Sequence, residues 1–244
     1  MRLFCDVGDV LFYDFPVQLT YSWRLTVELG QLGYNPVLGP WEILDTGGHW
    51  TGALCCVPIE VWDQANHDAW EYVLANWSRL FVPIPGALDA LALLSPAPCL
   101  VANQPREALE ALRRYGVVKS VADAILNCEV GVSKPEPRLF EIACARAEVS
   151  PSEVVMVGDR LDNDIVPARR LGMRAAWVRP YAYDPCLAVE GVPGGWRDQY
   201  EQERRRRLRA LGAAVSALPP AERPTWSVTS LGEFAARMQG RTEG

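Results

Sequence analysis

The stretch GVSKPEPRLFEIACARAEVSPSEVVMVGDRLDNDI, residues 131–165, carries the strongest structural signal in this chain. Its residues 154–157 form an uninterrupted apolar run, which ends at a glycine followed by Asp159. Such a run predicts a strand that is buried on both faces, as in a parallel sheet. In open α/β sheets, ligands bind in the crevice at the carboxyl ends of the strands. Because Lys134 and Asp164 lie in the same stretch, it predicts carboxylates and an ammonium group at one edge of a sheet.

Two earlier apolar runs also break at a polar residue. They are LFCDVGDVLF, which breaks at Asp6, and CLVANQ, which breaks at Asn103. From Pro85 onward, strand and helix patterns alternate, which predicts a parallel sheet covered by helices on both faces. The predicted strands are 2–7, 98–102, 121–126, 153–158, 174–178 and 225–229, and the predicted helices between and after them are 86–95, 105–115, 136–147, 164–171 and 231–238. The fold class is therefore α/β, with a Rossmann-like three-layer parallel sheet.

A helical segment interrupts this alternation. Helices are predicted over roughly 16–33 and 58–80, and in the second of them apolar residues recur at three- and four-residue steps. We therefore expect residues 15–82 to form a helical cap inserted into the α/β core. The core is predicted to comprise 1–14 and 83–244, and residues 181–222, with a helix over 197–217, are expected to form a further insertion in it.

Composition excludes several classes of protein. The 244 residues are 49% hydrophobic, which is enough to bury a full core. The net charge of −6 and the pI of about 5.1 argue against nucleic acid as a partner. Apolar runs stay shorter than the roughly 18 residues of a membrane span, and because a strand is predicted from residue 2, we expect no signal peptide. The seven cysteines form no CxxC pair, and a cytoplasmic location is expected.

The order, spacing and local sequence of these motifs resemble the haloacid dehalogenase (HAD) superfamily, most of whose members are magnesium-dependent phosphatases. GVSKPEPRLFE together with VMVGDRLDNDI is the most specific part of the resemblance, which covers about 2–14 and 84–180. It implies a HAD-like core with a helical cap after the first motif. It also implies Mg²⁺ as the cofactor and a small phosphorylated metabolite as the substrate.

The site residues follow from their chemistry and from this resemblance. Asp6 is expected to attack a phosphoryl group and form an aspartyl-phosphate intermediate. Asp6, Asp159 and, by the resemblance, the backbone carbonyl of Gly8 are expected to bind Mg²⁺, which prefers oxygen ligands. Asp164 would hold a metal-bound water or Lys134. Lys134 would act as a point charge for the phosphate and the nucleophile.

Four further residues are predicted to contact the substrate. Asn103 matches the asparagine that often follows the family's second motif, and its amide is expected to hydrogen-bond a substrate oxygen. The glycine-rich segment that begins at Asp45 is too rich in glycine for regular structure. Asp45, His49 and Trp50 in this segment are the candidates for substrate contact in the cap.

Two departures from the family pattern leave alternatives open. Gly8 stands where family phosphatases usually carry an aspartate that serves as general acid and base, and Ala102 stands where they carry a hydroxyl residue. A catalytically weak or inactive binding or regulatory protein is therefore one alternative, and a haloacid dehalogenase is another. The retained Asp159 favours metal use over dehalogenation, because the acidic cluster would otherwise lack a cation. The sequence does not identify the substrate, and it leaves open whether Asp9 replaces the missing acid. It also leaves open whether the chain forms a homodimer and what role residues 181–222 have.

Overall fold

The computed structural model of the chain describes residues 1–35, 38–45, 57–179 and 189–240. These residues belong to two compact units. The first is built from the described parts of Met1–Tyr13, Val82–Ala182 and Gly212–Gly244, and the second from those of Asp14–Phe81 and Tyr183–Leu211.

The first unit contains a six-stranded parallel sheet. Its strands are β1 (Arg2–Cys5), β4 (Cys99–Ala102), β5 (Asp123–Leu126), β6 (Val154–Gly158), β7 (Arg174–Val178) and β8 (Trp226–Val228), and their spatial order is β5-β4-β1-β6-β7-β8. Each neighbouring pair is parallel. The predicted Rossmann-like α/β sheet is confirmed. With β1 at the centre, the carboxyl ends of β4, β1 and β6 lie side by side at one edge of the sheet.

Helices flank this sheet. They are α5 (Ala87–Leu93), α6 (Arg106–Arg114), α7 (Asn127–Val130), α8 (Pro137–Ala147), α9 (Val166–Arg170) and α11 (Leu231–Met238). All five residues of β6 are buried, as its apolar run predicts. Phe4 of β1 and Val101 of β4 share a hydrophobic core cluster with Leu139 and Phe140 of α8. Among the described residues, no helix is long and apolar enough to cross a membrane.

The structure corrects three predicted elements of this unit. β1 ends at Cys5 rather than at residue 7, and β5 begins at Asp123 rather than at residue 121. The helix predicted from residue 164 begins only at Val166, after a π-helical turn over Leu161–Ile165. Proline in the first turn of α9 explains this start, because proline lacks an N–H and fits only where none is required.

One small element is missing from the sequence-based prediction. β2 (Phe12–Tyr13) pairs antiparallel with β3 (Val82–Pro83). Two residues per strand are too few to show a period of two, and the partners lie about seventy positions apart in the sequence.

The second unit is helical. It contains α1 (Phe15–Gln31), α2 (Pro40–Leu44), α3 (Ile59–Ala75), α4 (Trp77–Leu80) and the first part of α10 (Gly194–Ala217). The helix predicted over 58–80 is interrupted at Asn76, whose side-chain Nδ2 donates to the carbonyl of Tyr72 at 2.8 Å. This local bond offers the backbone an alternative to continuing the helix.

Aromatic side chains join α10 to the other helices of the second unit. Tyr200 packs against Phe15 and Leu19, and its hydroxyl donates to Gln18 Oε1 at 2.6 Å. Trp196 Nε1 donates to the hydroxyl of Ser22 at 3.2 Å. These contacts place 189–211 with 14–81, whereas the sequence assigns all of 83–244 to the core.

Candidate active site

Three aspartates meet at the carboxyl edge of the sheet. Asp6 follows β1, Asp159 follows the adjacent β6, and Asp164 lies in the π-helical turn that comes next. One carboxylate oxygen from each lies within 4.8 Å of the others. Asp164 is fully buried, and Asp6 and Asp159 are 7% and 8% exposed. The structure thus brings together the three carboxylates that the sequence analysis selects.

Lys134 lies inside this acidic cluster. Its Nζ is 2.7 Å from Asp6 Oδ1 and 2.5 Å from Asp164 Oδ1, and the residue is only 4% exposed. Burial by itself disfavours the charged ammonium, but Asp164 and then Asp6 more than offset this and raise the pKa of Lys134. The side chain therefore remains an ammonium ion at neutral pH.

Asp164 is held from two sides. Its Oδ1 pairs with Lys134, and its Oδ2 accepts a hydrogen bond of 3.0 Å from the backbone N–H of Arg160. Burial, followed by the charge of Asp6, raises the pKa of Asp164 to about 7 and outweighs Lys134. Three carboxylates against one ammonium leave excess negative charge, and a hard cation with oxygen ligands would neutralise it. The donor set therefore fits Mg²⁺.

Two neighbours of the β6 end fix the acidic residues, and the sequence analysis assigns neither of them a role. At Gly158, an added Cβ would lie 2.5 Å from both Cβ and Oδ2 of Asp164, so only glycine fits against this aspartate. The indole Nε1 of Trp177 donates to the carbonyl of Asp159 at 2.7 Å. A glycine directly before a strand-end aspartate is the sequence signal that could have indicated this close approach.

Side-chain amides hold the loop that carries Lys134. Asn103 Nδ2 donates to the carbonyl of Lys134 at 2.9 Å, and the Lys134 N–H donates to Asn103 Oδ1 at 2.8 Å. Asn127, at the end of β5, donates to Ser133 Oγ at 3.1 Å and accepts the N–H of Gln104 at 2.7 Å. Asn103 thus fixes the backbone of Lys134, and its predicted contact with substrate stays a prediction. Asn127 is missed by the sequence analysis, although it directly follows a buried strand as Asn103 does.

The backbone turns sharply after Asp6. The carbonyl of Val7 accepts the N–H groups of both Leu11 and Phe12, and Gly8 pairs with Phe12 in an isolated bridge. Asp9 has a φ of +46°, in the left-handed region that aspartate tolerates better than most residues. Asp9 does not belong to the carboxylate cluster of Asp6. Replacement of the missing acid by Asp9 and metal binding by the Gly8 carbonyl both stay predictions.

Of the three substrate contacts predicted in the cap, the structure describes Asp45. Asp45, at the end of α2, forms a two-point ion pair with Arg207, at 2.8 Å from Nη1 and 2.6 Å from Nη2. Both of its carboxylate oxygens therefore contact a protein side chain. His49 and Trp50 lie outside the described residues.

Comparison with known proteins links this site to named families. A family model described as HAD-hydrolase-like matches residues 131–190. The glyceraldehyde 3-phosphate phosphatase of Methanopyrus kandleri is 42% identical over 74 residues, which is 30% of this chain and 32% of that protein. The phosphoserine phosphatase of Thermus thermophilus is 41% identical over 69 residues, 28% of either chain. The chain thus spans about a third or less of the length of these relatives.

Solved structures match over nearly the whole chain. A HAD phosphatase from Thermococcus onnurineus superposes with a TM-score of 0.62 at 16% identity, covering 100% of this chain and 99% of that one. An L-2-haloacid dehalogenase from Xanthobacter autotrophicus gives a TM-score of 0.59 at 18% identity, covering 99% of each chain. At such identities the likeness concerns the fold alone. Residues 131–190 thus match a HAD-hydrolase-like family model, and the fold of the whole chain is similar to that of solved HAD hydrolases.

Proposed function

We propose that this chain is a Mg²⁺-dependent phosphatase that acts on a small phosphorylated metabolite through an aspartyl-phosphate intermediate. One observation carries the proposal: the carboxylate of Asp6 lies 2.7 Å from a buried ammonium, within a cluster of three carboxylates. Nucleophile, point charge and oxygen ligands for a hard cation thus lie together at the edge of the sheet where ligands bind.

Asp6 is the proposed nucleophile. Its Oδ1 is bonded to Lys134, which leaves Oδ2 to attack phosphorus, form the acyl-phosphate bond and expel the alcohol oxygen of the ester. Water then attacks the phosphorus and restores the carboxylate with release of inorganic phosphate. In the first step, Lys134 lowers the repulsion between the Asp6 carboxylate and the phosphate anion, and in the second it stabilises the carboxylate that departs. It can do both because its charge is in place before the substrate arrives.

Asp6 and Asp159 are the proposed protein ligands of Mg²⁺, with Asp164 beside them. When bound, the ion would screen the charge of the phosphoryl group and of the nucleophile. Asp164 also holds Lys134 in place through its Oδ1.

The leaving group defines the class of substrate that this site handles best. Gly8 supplies no side chain to protonate the departing oxygen, and general acid–base catalysis is typically worth about 10²–10⁴-fold in rate. We therefore expect slow turnover of simple alkyl esters and faster turnover of esters or anhydrides with good leaving groups. The names of the matched relatives, glyceraldehyde 3-phosphate phosphatase and phosphoserine phosphatase, support a small phosphorylated substrate.

We further propose a cytoplasmic location. The four cysteines within the described residues are free thiols, as a reducing compartment would keep them: Cys5, Cys99, Cys128 and Cys144.

The test is phosphate release from a panel of phosphate esters and acetyl phosphate, with Mg²⁺ or with EDTA. The wild type is compared with Asp6→Asn and with Asp89→Asn, a matched control on the exposed side of α5. Mg²⁺-dependent release that disappears only in Asp6→Asn supports the proposal. Equal activity of Asp6→Asn and wild type would refute Asp6 as the nucleophile.

A non-catalytic protein is the second candidate, because Gly8 and Ala102 both lack the side chains usual in family phosphatases. If the wild type turns over no substrate of the panel but binds Mg²⁺ in calorimetry, that candidate is favoured. Acetyl phosphate decides between the two most directly, since its good leaving group needs no general acid. A haloacid dehalogenase would instead release halide from 2-chloropropionate with EDTA present.

A further inference from the structure

Gln104 is a buried polar residue that the proposed mechanism does not use. It follows Asn103 at the carboxyl end of β4 and is 8% exposed. Its side-chain Oε1 is buried and has no hydrogen-bond partner among the described residues. Its backbone N–H, by contrast, donates to Asn127 Oδ1 at 2.7 Å.

An unpaired carbonyl oxygen in this environment calls for an explanation. Nearly all buried polar side-chain atoms in folded proteins have a hydrogen-bond partner, and an unpaired one costs stability. Leucine or methionine would fill the same space without this cost. The amide therefore points to a donor that arrives from outside the chain.

The backbone of Gln104 lies beside residues that hold the active-site loop. Gln104 directly follows the asparagine that fixes the backbone of Lys134, and its own N–H is held by the asparagine that bonds Ser133. β4 is the immediate parallel neighbour of β1, which ends next to Asp6. The substrate of a parallel α/β sheet binds along this edge.

We infer that Gln104 is a substrate-binding residue, whose Oε1 accepts a hydrogen bond from a hydroxyl or ammonium group in the organic part of the phosphate ester. The inference rests on the proposed phosphatase function and deepens it. It names the substrate class as phosphate esters that carry a hydrogen-bond donor close to the phosphate. A donor-free ester would leave Oε1 buried and unpaired in the complex, as it is in the free protein.

The test compares matched esters that differ by one donor. Ethyl and propyl phosphate are donor-free, and 2-hydroxyethyl, 3-hydroxypropyl and 2-aminoethyl phosphate each add one donor. For the wild type, we expect at least one donor-bearing ester to have a kcat/KM about 10-fold above its donor-free match, the effect of one hydrogen bond to a buried acceptor. Gln104→Met, which keeps the size but removes the acceptor, should abolish this preference. It should lower kcat/KM for the donor-bearing esters more than for the donor-free esters and acetyl phosphate.

Gln239→Met is the matched control, because Gln239 is exposed and its amide donates to the backbone of Leu93 on the same unit. This variant should keep the wild-type preference. An equal change for every substrate in Gln104→Met would overturn the inference, since it would indicate a structural role such as binding an internal water.

The wild type alone decides if Gln104→Met does not fold. Turnover without any preference for donor-bearing esters would overturn the inference and leave the proposed function intact. Absence of turnover of every ester and of acetyl phosphate would instead overturn both.

Discussion

Substitution of Gly158 by alanine is the sharpest test of how the fold builds this site. Gly158 is the last residue of β6, and a Cβ added there would lie 2.5 Å from both Cβ and Oδ2 of Asp164. Neither partner can move freely. Asp164 is fully buried and bonded to Lys134 and to the backbone of Arg160, and β6 is paired on both sides.

The size of the effect follows from this overlap. Carbon atoms in ordinary contact lie at least about 3.5 Å apart, so the new methyl group overlaps Asp164 by about 1 Å. Overpacking of a tight interior typically costs about 1–3 kcal/mol. A loss of about 2 kcal/mol would lower the melting temperature of a chain of this size by about 4–8 °C. Displacement of Asp164 also releases Lys134, and a misplacement of about 1 Å can lower the rate about 100-fold.

The assay combines urea unfolding with kcat for acetyl phosphate, with Gly212→Ala as the matched control. Gly212 lies in α10, and an added Cβ there meets no atom within 4 Å. Alanine in a helix interior is about 0.5–1 kcal/mol more favourable than glycine, so the control should be slightly more stable and equally active. Wild-type stability and activity in Gly158→Ala would refute the argument from close approach.

Three further perturbations test the charges and bonds of the site. Lys134→Met leaves the carboxylates of Asp6 and Asp164 buried without their ammonium, so urea unfolding in EDTA should show a loss of about 3–5 kcal/mol, and a stability equal to wild type would contradict this. The pKa of Asp164, raised from 3.8 to about 7, makes the folded protein hold this proton more tightly than the unfolded chain. The stability that the folded protein gains from this proton is complete below about pH 4 and is lost as the pH rises to about 7. Asp164→Asn should therefore lose less metal-free stability over this interval than the wild type, and equal losses in the two proteins would contradict this. Asn127→Ala removes the partner of Ser133 and loosens the loop of Lys134, which should lower kcat about 10-fold with little change in KM, whereas unchanged kinetics would show that Asn103 alone suffices.

The sequence by itself determines the fold class and the main chemical groups of the site. Apolar runs that stop at Asp6, Asn103 and Asp159 encode buried strands with polar ends, and burial on both faces requires parallel neighbours. Since parallel strands end at one edge of the sheet, the convergence of these side chains follows without coordinates. Lys134 and Asp164 are predicted beside them on the motifs they share with the HAD superfamily.

The tertiary structure alone decides which distant groups touch. It places Gly158 against Asp164, bonds both amide atoms of Asn103 to Lys134, and leaves Oε1 of Gln104 buried and unpaired. It also joins 189–211 to the helices of 14–81 through aromatic packing and forms the short β2–β3 pair. The physical reason is that sequence patterns report local burial, whereas these contacts join segments that are far apart in the sequence. Periodicity and strand-end polarity record how each residue is buried by its own element, whereas close contacts depend on register and side-chain direction between elements that are far apart in the chain.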